Sequence, residues 1–358
     1  MAFNKLIKSM IAGSIISLST IGAAAAETTF RYGEASPNRG ARADALQYFA
    51  DQLEARSDGD LKLDIHWGGA LLKYSAILGG VSSGTADMGS VLAAYEPQKM
   101  RALSVGDIPV PQSDSWVGMR AMYELMTTNA QMQQAFEDND VVYVTNFTTS
   151  PIQFECAGDT RLESLSDFDG KKIRASSIYT KILNDAGSNM VSFVFSEVYQ
   201  ALDTGLVDCS GTYLYAMRAF KTPEVVNSVA VMDWGQIAGF AMLMNKWSWD
   251  DLSDEQRRMF RQVGSEMIDF YAQKLVEDRQ KMLAELPAGS LGNKVEVIRW
   301  SDEQRAELFA ESDKYIKEWI GDMEKAGFDG AQVWEEYQSL LKKYQSELDE
   351  KGYPWTRS

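Results

Sequence analysis

The chain is short of the residues that most catalytic and metal chemistry needs. It has one histidine, His66, and two cysteines, Cys156 and Cys209, in 358 residues. One histidine excludes multi-histidine metal sites, and it excludes a Ser–His–Asp or Cys–His apparatus unless His66 is the base. Two cysteines exclude a zinc ribbon and a dense disulfide framework. Positive charge is scarce too: 35 Lys and Arg stand against 51 Asp and Glu, a formal net charge of −16. Nucleic-acid binding draws on phosphate neutralisation by Lys and Arg, so no nucleic-acid partner is expected. The same deficit speaks against docking on anionic lipid. With 8 Pro and 27 Gly, 45% hydrophobic and 24% charged residues, the composition is that of a globular protein.

Residues 1–26 read as an export signal. Lys5 and Lys8 form a short basic start, an apolar stretch follows from Met10 to Gly22, and Ala23–Ala26 supply the small residues of a cleavage site. The stretch is too short and too rich in Ser and Ala to span a bilayer comfortably. Cleavage after Ala26 leaves 33 basic and 51 acidic residues, so 33 − 51 = −18. No later run approaches 18 apolar residues, so an exported protein of a bacterial periplasm is expected. That compartment permits a disulfide. Cys156 and Cys209 are the only pair, and two buried free thiols are the alternative.

Strand and helix patterns alternate, which is α/β order. Thr28–Tyr32 reads as a strand. Arg42–Arg56 is an amphipathic helix with Ala45, Leu46, Phe49 and Leu53 on one face. Leu61–Trp67 alternates as a second strand, with His66 as an ordinary surface or core residue. A helix is predicted over Lys73–Ser83, then Gly84 as its left-handed cap and a strand around Ala86–Met88. The run Ser83–Ser90 is echoed by Thr204–Gly211. The simplest reading is two α/β lobes with a cleft between them.

The last third is helical. Ser253-Asp254-Glu255-Gln256 and Ser301-Asp302-Glu303-Gln304 are capping boxes. The first opens a stripe from Met259 to Leu275 that predicts a helix ending before Pro287, long enough to brace both lobes. The tail 327–358 carries Trp334, Tyr337, Leu340, Leu341, Tyr344 and Leu348 at helical spacing. It is expected to dock as one more helix on a monomer, with self-association through it as the alternative.

Several segments together resemble the solute-binding proteins of tripartite ATP-independent periplasmic (TRAP) transporters, the DctP-type family. Leu165-Ser166-Asp167-Phe168-Asp169-Gly170-Lys171-Lys172-Ile173-Arg174 is similar to the family's Asp-Leu-x-Gly-x-Lys-Ile-Arg segment. Phe195–Asp208 is similar to its helix-and-strand signature. Gly84–Met88 and Ile108-Pro109-Val110-Pro111 add to the likeness, which covers roughly residues 27–320.

The resemblance implies a two-lobed α/β periplasmic-binding-protein fold with hinge strands and a long helix bracing both lobes. Lobe I would span 27–150 plus about 240–285, lobe II 151–239 plus about 288–326, and 327–358 would be a helical extension. It also implies a receptor that delivers a small organic anion to TRAP membrane permease subunits, with no enzyme activity, no catalytic residue, no metal and no cofactor.

In that resemblance Arg174 is the ligand-binding arginine, and a guanidinium fork suits a carboxylate. Sugar-acid and dicarboxylate binders resemble a pattern with a second arginine about twenty residues earlier; here the position is Phe154. Their asparagine after the Val-Asp-Gly strand is Thr212 here, beside Tyr213. A polar Asn-His pair is Asp233-Trp234. Aromatic walls from Phe154, Phe195, Tyr213 and Trp234 would favour an aromatic, benzoate-like monocarboxylate. Glu34, Asn38, Arg39, Trp67 and Tyr95 are expected to reach the cleft from the first lobe. The competing readings are a receptor for aliphatic, dicarboxylate or sugar acids, a binding protein for an ATP-driven importer or sensor kinase, a ligandless structural protein, and a periplasmic hydrolase built on paired carboxylates.

Overall fold

The computed structural model describes residues 27–111, 114–310 and 312–357, so the leader expected over 1–26 lies outside the described residues. Among the described residues eleven strands form two sheets. They are β1 Thr28–Gly33, β2 Leu61–His66, β3 Met88–Leu92, β4 Val141–Phe147, β5 Gln153–Cys156, β6 Lys172–Arg174, β7 Asn189–Met190, β8 Cys209–Thr212, β9 Ser228–Val231, β10 Phe240–Asn245 and β11 Glu296–Arg299. The first sheet runs β2-β1-β3-β10-β4 and the second β11-β9-β5-β8-β6-β7. Within the first, β1 is parallel to β2 and β3, while β10 is antiparallel to β3 and β4. Within the second, β6 is parallel to β7 and β8, and β5 is antiparallel to β8 and β9. Strand β10 is buried at every position and carries the apolar run Phe-Ala-Met-Leu-Met, as a strand covered on both faces must.

The chain passes between the sheets at residues 148–152 and 232–239, and these two crossings are hydrogen-bonded to each other. Thr149 N donates to Ile237 O at 3.0 Å, Ile152 N to Gly235 O at 2.9 Å and Trp234 N to Ile152 O at 3.1 Å. A paired two-strand ribbon of this kind bends as one hinge. Gly235 is needed in it. Its φ is +65°, and a Cβ there would lie 2.5 Å from the Tyr179 hydroxyl.

A third crossing is the 35-residue helix Asp254–Ala288. It opens on the expected capping box, with Ser253 Oγ accepting from Gln256 N and Gln256 Oε1 accepting from Ser253 N. At about 1.5 Å per residue it is roughly 50 Å long, enough to lie along both lobes. Its first half grips the first lobe through an ion pair of Glu266 with Arg56 and of Asp269 with Arg120. Its second half grips the second lobe through Asp278 and Glu285, both paired with Arg218. Gly264 brings it close to β4: a Cβ there would meet Thr145 Cβ at 2.9 Å.

Three local expectations are corrected. The long helix does not stop before Pro287 but runs through it to Ala288, where Gly289 at φ +71° closes it. A proline in the last turn forfeits one hydrogen bond, not a ladder of them. The helix expected over Lys73–Ser83 is a short 3₁₀ turn, Tyr74–Ala76, followed by an α-helix, Ile77–Ser82. The strand expected around Ala86–Met88 begins only at Met88, because the Asp87 side chain is occupied in accepting from Arg31 N and Nε.

Cys156 and Cys209 face each other across β5 and β8 and form a disulfide, so the free-thiol alternative is set aside. The helix Gly330–Lys351 docks on the helix Ser115–Thr128 of the first lobe. Val333, Trp334, Tyr337, Leu340 and Leu341 are buried in that contact region. The Trp116 and Tyr344 rings meet edge-on at 5.8 Å. No helix among the described residues is long and apolar enough to cross a membrane.

Candidate functional site

The parallel strands of both sheets point their carboxyl ends at the gap between the lobes, where open α/β sheets place ligands. The segments that follow those ends supply the site. Ser36 follows β1, Tyr74 follows β2, Tyr95 follows β3, Arg174 ends β6, Phe195 follows β7 and Tyr213 follows β8.

Three neighbouring cavities result. The most enclosed lies between the lobes. Its walls are aromatic: Tyr95, Phe195, Tyr213, Tyr215, Phe220 and Phe240. Its polar groups are Ser36, Arg42, Tyr74, Thr149 and Ser176, with Arg39 at the mouth donating across the gap to Ala219 O at 2.8 Å. A larger open cleft shares Ala94, Tyr95 and Ser176 with it and runs past Arg174 towards Trp319. A small cavity lies between Arg174, Phe154, Gly211 and Tyr213.

Arg174 lines the open cleft and the small cavity, and it reaches the enclosed one through its neighbours Tyr95 and Phe195. It is 2% exposed. Its Nη2 donates to the Tyr95 hydroxyl at 3.2 Å, its Nε to Phe193 O at 3.4 Å, and its guanidinium lies 5.2 Å from the centre of the Phe195 ring. Among the described residues no carboxylate lies within 4 Å of it. A buried cation with no anion against it is a costly arrangement that a bound anion relieves.

A second buried arginine is arranged in the opposite way. Arg42, 8% exposed, sits 3.3 Å from Glu34 and donates to the Tyr74 hydroxyl at 2.9 Å. Burial acts to lower its pKa, but Glu34 and the surrounding phenols outweigh burial and hold the pKa above its usual value. Glu34 is itself saturated, accepting from Ser36 N and Ser90 Oγ, each at 2.7 Å.

The residues expected from the sequence divide into two groups. Arg174, Phe195, Tyr213, Tyr95, Arg39 and Phe154 line one or more of the cavities. Thr212, Trp234, Glu34, Asn38 and Trp67 line none of these three. Thr212 is fully buried and faces Glu155, whose pKa burial pushes up to about 7 against the pull of the Thr222 and Thr212 hydroxyls and of Arg174. Trp234 is also fully buried, packed edge-on against Tyr179 at 5.0 Å, and its carbonyl accepts from the Tyr179 hydroxyl. Asn38 is exposed and Trp67 half-buried.

Asp233 turns the other way. At φ +48° it binds Arg279 of the long helix through both oxygens, at 2.8 and 2.9 Å. Arg42, Ser36, Tyr74, Tyr215 and Phe240 were not singled out from sequence. The one available signal was Arg42, a charge on the same helical stripe as Leu46, Phe49 and Leu53.

Among the described residues no group of three or more His, Cys, Asp or Glu is placed to hold a metal ion. Gly80-Val81-Ser82-Ser83-Gly84 has the spacing of a nucleophile elbow, but it runs from helix into strand, the reverse of strand–turn–helix. His66 lies beside Asp64, 3.1 Å away, on a half-buried strand.

Two lobes joined by paired crossings, with an aromatic cavity between them and a buried guanidinium nearby that meets no carboxylate among the described residues, are the form of a receptor for a small solute. Residues 32–322 match the family described as bacterial extracellular solute-binding protein, family 7, and the chain belongs to that family, the TRAP transporter receptors. A solute-binding protein of Albidiferax ferrireducens is 25% identical, over 65% of this chain and 69% of that protein. The sialic acid-binding periplasmic protein of Vibrio cholerae is 22% identical, over 76% of this chain and 84% of its own length. A TRAP solute-binding protein of Rhodoferax ferrireducens, solved with copurified benzoate, has a TM-score of 0.78 at 19% identity, covering 89% of this chain and 99% of that one. Its likeness shows a shared fold.

Proposed function

We propose that this receptor binds an aromatic monocarboxylate in the periplasm and hands it unaltered to TRAP permease subunits. The observation that carries the reading is Arg174: a guanidinium 2% exposed, with no carboxylate within 4 Å among the described residues, in contact with Tyr95 and Phe195 of a cavity lined by seven aromatic rings. A ligand carboxylate supplies the missing anion, and each charge-assisted hydrogen bond contributes about 1.5–3 kcal/mol. The rings offer burial and stacking to a flat body, about 0.5–1.5 kcal/mol per pair beyond area.

Arg174 is the buried arginine free to take charge. Arg42 is neutralised by Glu34, and Arg39 is exposed and donates to Ala219 O, so a second carboxylate deep in the cavity would lack a buried cation and bear its desolvation cost. That disfavours dicarboxylates. Sugar acids are disfavoured because their hydroxyls would meet ring faces on most sides. The benzoate of the Rhodoferax ferrireducens structure fits the same reading. Lobe I (27–150 and about 240–285) and lobe II (151–239 and about 288–326) would close about the paired crossings.

The test is calorimetry against benzoate, succinate and galacturonate, with wild-type protein and Arg174→Ala. Benzoate binding that is at least ten-fold tighter than the others and lost in Arg174→Ala is expected. Tighter binding of succinate or galacturonate, or benzoate binding that survives Arg174→Ala, would overturn it.

A further inference from the structure

Hydrogen-bond donors and acceptors can be counted around the buried polar cluster on the first-lobe side of the enclosed cavity. Tyr32 and Ser90 hydroxyls meet at 2.7 Å, and Ser90 Oγ donates to Glu34 Oε2. Since the Ser90 proton is given to Glu34, the Tyr32 proton goes to Ser90, and both are used. Glu34 Oε1 takes Ser36 N and faces Arg42.

The second pair of hydroxyls does not close in this way. Ser36 Oγ and Tyr74 Oη lie 2.6 Å apart, and Tyr74 Oη also accepts from Arg42 Nη2. Two hydroxyl protons are present and one bond joins the two oxygens. One proton is therefore left with no acceptor among the described residues. Both side chains are more than nine-tenths buried, at 4% and 6% exposure, and both line the enclosed cavity. Burial also raises the Tyr74 pKa well above that of a free phenol, so the proton stays on. A buried donor without a partner is costly, and an acceptor delivered by a ligand removes the cost.

We infer that Ser36 and Tyr74 form a specificity subsite that selects aromatic acids carrying a neutral oxygen acceptor on the ring, such as a hydroxyl or an ether. The inference rests on the reading that Arg174 takes the carboxylate. The two arginine sites then differ in kind: Arg42 lines the enclosed cavity itself, and Arg174 lines the cleft that adjoins it at Tyr95. Arg174 is an unpaired cation and takes the charge. The Ser36–Tyr74–Arg42–Glu34 cluster is neutral in sum and presents a single O–H, which suits an uncharged oxygen and not a second carboxylate. The acceptor is the feature read, so a ring ether serves as well as a ring hydroxyl, while chlorine of similar bulk does not.

Calorimetry tests this with benzoate, the hydroxy-, methoxy- and chlorobenzoate isomers and terephthalate, using wild-type protein, each single variant and the double variant Ser36→Ala/Tyr74→Phe. Either hydroxyl alone keeps a proton to donate, so the singles are expected to retain a preference. The expected wild-type result is at least one hydroxy and one methoxy isomer bound about five- to ten-fold more tightly than benzoate, with the matching chloro isomer within two-fold of benzoate. In the double variant the oxygen-to-benzoate ratio falls towards one. Equal wild-type affinities, a chloro isomer that binds as well as its oxygen counterparts, a ratio that survives the double variant, or terephthalate as the tightest ligand would each overturn the subsite. Since the ligand panel is read first on wild-type protein, a double variant that fails to fold leaves the inference refutable. Failure of every aromatic monoacid to bind wild-type protein would instead sink the parent reading.

Discussion

The Tyr95 hydroxyl, on the first lobe, accepts hydrogen bonds from two groups of the second: Arg174 Nη2 at 3.2 Å and Phe195 N at 3.0 Å. One oxygen thus ties the Arg174 guanidinium to the aromatic wall and both to the opposite lobe. With both acceptor positions filled, its own proton remains to donate to the carboxylate proposed for Arg174.

Tyr95→Phe removes that oxygen. Arg174 and Phe195 N each lose an acceptor, and the ligand loses a donor. Benzoate affinity is expected to fall about ten-fold, from one to two hydrogen bonds. Small-angle scattering should show less compaction on adding ligand. Unchanged affinity and unchanged compaction would remove Tyr95 from the closing contact.

Glu155 makes stability depend on pH. Its folded pKa is raised from 4.5 to about 7 by burial, with Thr222, Thr212 and Arg174 only partly opposing it. Between those values the folded chain holds a proton that the unfolded chain releases. This group's contribution is therefore most favourable below about 4.5 and is lost as pH rises through about 7. Glu155→Gln keeps an acceptor for Thr222 and deletes the titration. The variant's Tm should match wild type near pH 5 and exceed it by a few degrees near pH 8. A difference that is constant with pH would contradict the assignment.

Trp234→Ala should unfold the second lobe more easily and leave ligand choice alone. The ring is fully buried and braced on Tyr179, so its removal opens a cavity costing about 3–5 kcal/mol. Chemical denaturation measures the loss. A drop in benzoate affinity relative to an aliphatic acid would restore the tryptophan to the site wall.

The Cys156–Cys209 disulfide closes 53 residues of chain. Constraint on the unfolded state predicts about 4 kcal/mol for a loop of this length. Cys156→Ala/Cys209→Ala should lower Tm clearly, and dithiothreitol should lower wild-type Tm but not that of the variant. Equal melting of wild type with and without reductant would show that the bond does not contribute.

Which parts of the site were legible follows from where the chemistry sits. Arg174 was legible because a run of neighbours, Leu165 to Ile173, marks it. Phe195, Tyr213 and Tyr95 were legible as aromatics at strand ends. Thr212 and Tyr213 show the limit: adjacent residues at the end of β8, one turned to Glu155 inside the second lobe and the other to the cavity. A one-residue step reverses the face, and sequence spacing alone does not say which face is the ligand's. Trp234 went astray in the same way, since the left-handed Asp233 before it turns the chain. Arg42 was overlooked because the stripe it shares with Leu46 and Phe49 reads as a core face, and that face ends at the cavity.

By itself the sequence determined the alternation of strand and helix, the capping boxes and the family, and it singled out Arg174, because these depend on local periodicity and short motifs. The tertiary structure alone decided that Cys156 meets Cys209, that Arg42 is spent on Glu34 while Arg174 is not, and that Ser36 and Tyr74 share one proton too many. Each of those depends on distances between residues far apart in the chain. Whether a buried charge or donor is satisfied is set by what folding brings within about 3–4 Å of it.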